Sequence, residues 1–466
     1  KTQLIGQFLA ESMLVSFFSF LLSFAFVQLL LPFFNQLAGK QMTIPWGNPL
    51  FWIAGIVFTL ITGFLAGSYP AFYFSSFRPV RVLKGTFKTG RGAAIPRKAL
   101  VVLQFTVSIT MIIGTLIVFQ QIQYSRNRPM GYNNNGLVSL RLINDEVHKH
   151  FNAFRDELTQ AGAIVSITET SNPVTEVWGT SSGFEWEGKD PNLSVEFPRT
   201  YVSYDYGKTI GWEFREGRDF SPGFATDSVS LIVNETAVKF MGLKKPIGKT
   251  VKWFGQDYTI IGVVKDMVMQ SPYKQVRPSV FALAGGWQNV VILKLNPNTS
   301  VVDAIGKIGS SFKKINPVQP FEYEFVDEAY GKKFGNEQRI GKLAGFFAVL
   351  AILISCLGLL GMVSFVAEKR TKEIGVRKVL GASLFNVWNL LSKEFVVLVI
   401  ISLAIAIPVA YYFMHNWLQN FDYRTGISPW IFVAGGAVVI LLTLITVSFQ
   451  AIKAGLTDPV KSLRTE

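Results

Sequence analysis

The sequence is poor in cysteine, histidine and charged residues. Cys356 is the single cysteine among 466 residues, which excludes an internal disulfide and a cysteine-based zinc site. Three histidines leave little for metal chemistry. Charged residues make up 16% of the chain, whereas a soluble globular protein usually carries about 25%. Together with 49% hydrophobic residues, this deficit argues against a soluble enzyme.

Six apolar stretches are long enough to cross a bilayer as helices. A hydrocarbon core of roughly 30 Å takes about 20 mostly apolar helical residues. The stretches carry no charge in their central turns, and Glu11 lies near the start of the first. The predicted spans are residues 8–31, 50–69, 99–120, 343–367, 395–414 and 430–451.

The placement of lysine and arginine predicts the orientation of these spans. The net charge is +14, but residues 121–342 contain 26 basic and 24 acidic residues and are nearly balanced. Thirteen basic residues lie in the segments 71–98 and 368–394, which the positive-inside rule assigns to the cytoplasm. The long insert 121–342 is therefore expected on the extracytoplasmic side. Because the excess positive charge lies mainly in these two predicted cytoplasmic segments, membrane orientation accounts for it, and we expect no nucleic-acid partner.

The insert is predicted to be an α+β domain. Apolar runs and alternation predict strands, and apolar residues at helical spacing predict helices. The strands are expected at 137–142, 229–233, 258–264 and 290–295, and the helices at 151–161 and 301–315. A strand–helix–strand set at each end and a strand-rich middle indicate two interleaved lobes. The predicted fold class is a multi-span α-helical membrane protein with an inserted extracytoplasmic α+β domain of two lobes.

An internal repeat relates the two ends of the chain. Residues 49–85 and 429–464 both begin with proline and an aromatic apolar run, and both close on Pro-Val, a basic residue and leucine. The offset is 380 residues at both ends. The first two and the last two spans are therefore expected to be copies of one hairpin. On this interpretation a further span, outer domain and span precede Lys1.

These observations divide the chain into four parts. Residues 1–98 are expected to form a transmembrane hairpin with a basic cytoplasmic linker, and 99–120 a transmembrane helix. Residues 121–342 form the extracytoplasmic domain, and 343–466 three transmembrane helices with a short cytoplasmic helix at 368–383.

The predicted cytoplasmic helix has the sequence EKRTKEIGVRKVLGAS. Glu373 and Arg377 are four residues apart and can pair along one helical face. Gly375 and Gly381 interrupt an apolar stripe. The stripe consists of Ile374, Val376, Val379 and Leu380. A short helix tied to two spans suits contact with a soluble partner, although composition alone favours a helix that lies on lipid headgroups.

With its surroundings, this motif resembles the signature of FtsX-like permeases of the MacB type, which are subunits of ABC transporters. The resemblance extends to PRKALVVLQFTVSI at 96–109, GYNNNGLVSL at 131–140 and DPVKSLR at 458–464. It implies that the short helix contacts a cytoplasmic ABC ATPase. The implied contact residues are Glu373, Ile374, Gly375, Val376, Arg377, Lys378, Val379, Leu380, Gly381 and Ala382.

The resemblance also implies the activity and the partners. The chain would be an N-terminally truncated permease subunit that transmits ATPase-driven motion to the outer domain for export or extraction of a substrate. It would lie in the cytoplasmic (inner) membrane bilayer as a homodimer or pseudo-dimer, with a periplasmic adaptor as a further candidate partner. ATP and magnesium would bind the separate ATPase, so no cofactor and no enzymatic activity are expected in this chain. The alternative is a non-transporting signalling or scaffold subunit that regulates a cell-wall hydrolase or a sensor.

Other candidate sites have simpler explanations. The segment 242–250 (GLKKPIGKT) has one residue too many for a phosphate loop, and Pro246 removes a backbone donor, so a turn into a strand is expected. Five tryptophans in the insert fit either an apolar substrate surface or core packing, and core packing is favoured. They are Trp178, Trp186, Trp212, Trp253 and Trp287. No catalytic or metal site is predicted.

Overall fold

The computed structural model describes residues 2–75, 95–286 and 288–456. The chain divides into two compact units. The helical unit comprises Lys1–Val118, Gln338–Met414 and Ile427–Glu466, and the sheet unit comprises Phe119–Glu337 and His415–Gly426. Most of the first basic segment, both closing segments of the repeat and Trp287 lie outside the described residues.

The helices of the described chain vary from one turn to the length of a membrane span. They are α1 (Thr2–Ala38), α2 (Pro49–Ser75), α3 (Ile95–Arg126), α4 (Glu146–Lys149), α5 (Phe151–Gln160), α6 (Tyr206–Ile210), α7 (Glu235–Met241), α8 (Val301–Ile315), α9 (Val326–Lys332), α10 (Gly335–Lys369), α11 (Thr371–Val379), α12 (Leu384–Leu418) and α13 (Pro429–Leu456).

Within the described residues, six helices are long and apolar enough to cross a membrane. They are α1, α2, α3, α10, α12 and α13, and each contains one predicted span. The prediction of six long apolar helices is confirmed. The helices extend beyond the apolar runs because helical backbone hydrogen bonding continues into flanking polar turns.

The first helical hairpin is closely packed at small residues. Gly55, Gly63 and Gly67 of α2 face side chains of α1 so closely that an added Cβ would lie 2.8 to 2.9 Å from the nearest atom. Small residues allow two helix backbones to approach, which supplies packing where lipid gives no hydrophobic driving force.

The sheet unit is built on one twelve-stranded sheet. Its main path runs β12-β1-β11-β2-β5-β10-β7-β9-β8-β4, with β3 on β5 and β6 on β9. The strands are β1 (Leu137–Arg141), β2 (Ile164–Thr170), β3 (Thr180–Ser181), β4 (Phe184–Trp186), β5 (Phe197–Val202), β6 (Phe214–Gly217), β7 (Ser230–Asn234), β8 (Thr250–Trp253), β9 (Gln256–Val264), β10 (Val280–Leu283), β11 (Val290–Leu295) and β12 (Glu324–Phe325). The predicted strands correspond to β1, β7, β9 and β11, and the predicted helices to α5 and α8.

The sheet contains two lobes that come from interleaved parts of the sequence. Strands β1, β2, β11 and β12 form the end lobe, and β4 with β5 and β7–β10 form the middle lobe. The two lobes meet where Thr170 of β2 lies opposite Val202 of β5. A further apolar cluster contains side chains of both lobes, including Ile292 and Phe281, and therefore joins them.

The tryptophans and the glycine-rich segment behave largely as the sequence indicates. Trp186, Trp212 and Trp253 are buried in the apolar core, whereas Trp178 is 40% exposed. The segment 242–250 leads from the end of α7 into β8, and the Lys249 ammonium pairs with Glu187 at 2.6 Å. This confirms the predicted turn into a strand.

Candidate functional site

The short helix α11 is separated from α10 by Arg370 alone. The Thr371 hydroxyl donates one bifurcated hydrogen bond, shared between the carbonyls of Glu368 and Ala367 at 2.8 and 3.1 Å. This bond supplements the backbone hydrogen bonds at the end of α10, where the Arg370 amide donates to the Ala367 carbonyl at 3.2 Å. The position of α11 is therefore fixed relative to α10.

The end of α11 explains why its sequence closes on Gly-Ala-Ser. Gly381 has a φ of +89°, a left-handed conformation that glycine adopts without a side-chain clash. The Gly381 and Ala382 amides donate to the carbonyls of Lys378 and Arg377, which is the Schellman pattern. The Ser383 hydroxyl then accepts a 3.3 Å hydrogen bond from the Asn386 amide at the start of α12. The turn thus ends one helix and caps the next.

The acid and the base of the motif pair as predicted. Arg377 Nη2 lies 2.7 Å from Glu373 Oε1, four residues earlier on α11. Both side chains are about half exposed. A pair of this kind contributes about 0.3 to 0.5 kcal/mol to the helix, so it orients the two side chains more than it stabilises the fold.

The apolar residues of the motif lie on two different faces, and the prediction of a single stripe is wrong. Ile374 is 4% exposed and packs inside the helical unit, whereas Val376, Val379 and Leu380 are 48%, 66% and 80% exposed. A helix repeats every 3.6 residues, so apolar neighbours in sequence point in different directions.

Two residues that the sequence analysis omitted extend the exposed surface. Leu384 and Phe385, in the first turn of α12, are 47% and 67% exposed. We call this surface the exposed apolar turn; it consists of Val376, Val379, Leu380, Leu384 and Phe385. The signal in the sequence was an apolar pair directly after the Ser383 cap. Exposed apolar residues rimmed by charged ones are typical of surfaces that contact either another protein or lipid.

A carboxylate on α12 anchors the helices around this turn. Glu394 lies 2.5 Å from Lys98 Nζ of α3 and 3.2 Å from Arg370 Nη2. Its side chain is 23% exposed. One acid therefore links α3, α12 and the junction of α10 with α11. These contacts tie the junction that leads into α11 to two other helices.

In the sheet unit, two basic side chains bind backbone carbonyls. Arg128 lies two residues after the end of α3, and Lys333 lies two residues before the start of α10. Arg128 Nη1 donates to the carbonyls of Pro272 and Lys274, at 3.1 and 2.7 Å. Lys333 Nζ donates to the carbonyls of Met269 and Gln270, at 3.1 and 2.5 Å, and to that of Thr175. Burial lowers the pKa of Lys333. We call these contacts the carbonyl clamp.

The outer loop between α12 and α13 packs against the same region of the sheet unit. Tyr423 stacks on Tyr124 with ring centroids 4.7 Å apart, and the Arg128 guanidinium lies 4.2 Å from the Tyr423 ring centroid. The Gln121 side chain donates to the Tyr423 carbonyl at 2.9 Å and accepts from the Thr425 amide at 2.8 Å. The loop therefore restrains Arg128 in the position that the clamp requires.

Family models match most of the chain. The FtsX-like permease C-terminal model matches residues 345–459, and the MacB-like periplasmic core domain model matches residues 99–310. The first match includes α11 and the exposed apolar turn, and the second includes Arg128 and most of the sheet unit. Together they cover more than two thirds of the sequence.

Individual relatives are distant. The uncharacterized ABC transporter permease YknZ of Bacillus subtilis is 25% identical over 57% of this chain and 69% of its own length. The macrolide export ATP-binding/permease protein MacB of Neisseria gonorrhoeae is 23% identical over 48% of this chain and 36% of its own length. The match to the solved periplasmic region of MacB from Actinobacillus actinomycetemcomitans covers 43% of this chain and 94% of that structure. The identity is 15% and the TM-score is 0.32.

Proposed function

Because the chain belongs to the ABC transporter permeases of the FtsX-like, MacB type, with apolar membrane-spanning helices and an extracytoplasmic α+β domain, we propose that it transmits motion from a cytoplasmic ATPase to its sheet unit. The observation that carries the proposal is the exposed apolar turn, held by the Gly381 and Ser383 caps and by Glu394. An exposed surface that is tied to several helices is suited to receive a mechanical displacement.

The long helix α10 is the element that would transmit the displacement. It has 35 residues, roughly 50 Å of helix, whereas a bilayer core needs only about 30 Å. It ends one residue before α11 and begins two residues after Lys333 of the carbonyl clamp. A single uninterrupted helix transmits axial and rotational movement without a hinge.

The proposed partners follow from this role. The ATPase would bind ATP and magnesium and present an apolar pocket for Leu380 and Phe385, with acidic groups toward the basic residues of the motif. Two permeases would act together in the inner membrane, as a homodimer or pseudo-dimer, and a periplasmic adaptor would contact the sheet unit. We also propose that this motion drives the export or extraction of a substrate. This part of the proposal rests on the family membership.

The direct test is charge introduced into the exposed apolar turn. Leu380→Glu with Phe385→Glu should lower ATPase association roughly 30-fold, because truncation or charging of central contact residues typically costs at least about 2 kcal/mol. Co-purification and ATP hydrolysis by the reconstituted complex measure this effect. Val302→Glu, at an exposed apolar residue of α8, is the matched control and should leave association unchanged.

Full association of the double variant would refute the assignment of this surface. Association without any substrate transport in the parent complex would instead favour the non-transporting signalling or scaffold role, which uses the same contact.

A further inference from the structure

A cleft of about 410 Å³ lies in the sheet unit beside residues 267–279, the irregular segment that joins β9 to β10. We call this segment the strap. Ligand pockets usually hold roughly 300 to 1,000 Å³, so the cleft has room for one small molecule. The cleft involves neither the exposed apolar turn nor α11.

The buried lining of the cleft is mostly apolar. The Met267 and Met269 side chains belong to the apolar core and are 2% and 5% exposed, whereas Val177, Val276 and Pro278 are half-buried and offer apolar surface to the cleft. Burial of such partly exposed apolar surface by an apolar ligand is favourable, at roughly 25 cal/mol per Å². A flexible apolar chain is the ligand that fits such a lining best.

The exposed lining of the cleft is cationic. Arg277 and Lys274 are both exposed, and Asp422 lies 3.9 Å from Lys274 Nζ and offsets part of its charge. Arg277 Nη2 has a long 3.5 Å contact with the Glu196 carbonyl. A carboxylate or phosphate head group could accept shorter, charge-assisted hydrogen bonds from this guanidinium.

The strap is also the segment that the carbonyl clamp holds. Lys333 binds the carbonyls of Met269 and Gln270, and Arg128 binds those of Pro272 and Lys274. Met269 and Lys274 both line the cleft, so the segment that borders the cleft is the one whose carbonyls the clamp holds. A change on one side of the strap therefore alters the other.

We propose that the cleft binds an anionic amphiphile, an apolar chain with a carboxylate or phosphate head, and that the strap couples its occupancy to α3 and α10. The apolar chain covers Val177, Val276 and Pro278, and the head group pairs with Arg277. The binding site stands on its own observations, whereas its link to ATP hydrolysis rests on the proposed function.

The binding test uses the full chain in phosphatidylcholine nanodiscs. Cys356→Ser removes the native thiol, and Gln275→Cys places an environment-sensitive dye at an exposed lining residue. Dodecanoate and dodecyl phosphate are the anionic probes, and they distinguish a carboxylate from a phosphate source. Dodecyltrimethylammonium is the cationic control with the same chain. We expect a saturable dye response to an anionic probe at roughly tenfold lower concentration than to the cation, a difference of about 1.4 kcal/mol.

Charge reversal at the rim sharpens this test. Arg277→Glu should weaken binding of the anionic probe about tenfold and improve binding of the cationic one, because the head group would face a carboxylate. A response that never saturates, or one that is equal for both charge types, would overturn the proposed site.

The coupling test compares neighbouring lysines. Lys333→Met should weaken binding of the anionic probe at least about fivefold, because a strap without its clamp must be ordered by the ligand. Lys332→Met is the matched control, since Lys332 is exposed and pairs with Glu324 at 2.6 Å outside the cleft. Arg128→Gln tests the second half of the clamp if the Lys333 variant fails to fold.

Unchanged affinity in both clamp variants would refute the coupling and leave the binding site intact. Stimulation of ATP hydrolysis by dodecanoate in the complex with the ATPase is the separate readout. Saturable binding without stimulation would contradict the link between the cleft and ATP hydrolysis and leave the site intact, whereas failure of the proposed function itself is read from ATPase association of the Leu380→Glu, Phe385→Glu variant. Stimulation without binding at the labelled cleft would contradict the site alone.

Discussion

The sheet unit and the helical unit use the same apolar residue types in opposite ways. Phe154 and Phe312 of the sheet unit are 0% and 1% exposed, whereas Leu29, Phe58 and Trp430 of the helical unit are 74%, 69% and 77% exposed. Water drives apolar groups together in the first case, and lipid solvates them in the second. Apolar burial therefore stabilises the sheet unit, while specific contacts must select the helix pairings of the other.

Polar contacts differ between the units in the same way. In the sheet unit the Asp227 carboxylate is fully buried and bound by both terminal nitrogens of Arg218, at 2.6 and 2.7 Å. In the helical unit the contacts between helices include a 3.0 Å hydrogen bond between Ser108 and Ser355. If burial stabilises the sheet unit more than polar contacts stabilise the helical unit, substitutions should lower the free energy of unfolding most in the apolar core. They should lower it least at this hydroxyl pair.

The largest effect should come from the apolar core. Phe312→Ala removes an α8 side chain that packs in one cluster with Phe154 and Ile308. It should lower the free energy of opening the end lobe by about 3 to 5 kcal/mol, through lost burial and a residual cavity. Hydrogen exchange of the β11 amides measures that opening locally.

A surface position on the same helix provides the control for the core. Val302 is 85% exposed, so Val302→Ala should change β11 exchange by less than about 0.5 kcal/mol. Equal effects of the two variants would contradict the assignment of α8 to the core.

An intermediate effect is expected at the buried ion pair. Hydrogen bonds from Arg218 lower the pKa of Asp227 despite its burial. Because the folded pKa is depressed, the pair stabilises the sheet unit above the ordinary aspartate pKa of about 4, and this stability is lost as the pH falls through the folded value. Asp227→Asn should cost about 1 to 3 kcal/mol at pH 7, discounted for solvent at the one-third exposed Arg218.

The pH dependence separates this pair from general acid unfolding. The loss of protection in β7 and β9 below about pH 4 should be smaller in the Asp227→Asn variant, since the residue no longer titrates. An identical acid profile in the parent chain and the variant would show that other carboxylates determine it.

The sequence predicted those elements whose signal is local. An apolar run of 20 residues indicates a span whatever the rest of the chain does, and the continuous run VVILKL identified β11. The strands β3 and β12 are two residues long and exist only through pairing with distant partners, so no local pattern marks them.

The candidate site was predictable in part for the same reason. Glu373 and Arg377 pair within one helix and depend only on spacing. The burial of Ile374 and the exposure of Phe385 depend on which face packs against other helices, which spacing does not encode. The hold of Lys333 on Met269 and Gln270 joins residues more than sixty positions apart and has no sequence signature.

A smaller effect should come from the carboxylate that anchors the helical unit. Glu394→Gln removes the charge from the contacts with Lys98 and Arg370 and should cost about 1 kcal/mol, since both partners are partly exposed. Cys356 of α10 is a free, half-buried thiol and serves as the native reporter, since its reaction with a thiol dye should rise as the helices separate on heating. Glu11→Gln on α1 is the control; a loss of stability equal to that of Glu394→Gln would mean that the anchor has no special role.

The smallest measurable effect should be at the hydroxyl pair between α3 and α10. The coupling energy of Ser108→Ala and Ser355→Ala in a double-mutant cycle should be about 0.6 kcal/mol, the average for hydrogen bonds between membrane helices. The same dye reaction at Cys356 gives the stabilities. Thr106 bonds its own helix at the Val102 carbonyl, so the cycle of Thr106→Ala with Ser355→Ala should show no coupling. A coupling above about 2 kcal/mol at Ser108 and Ser355 would mean that polar contacts hold the helical unit as strongly as burial holds the sheet unit, and the contrast between the two would fail.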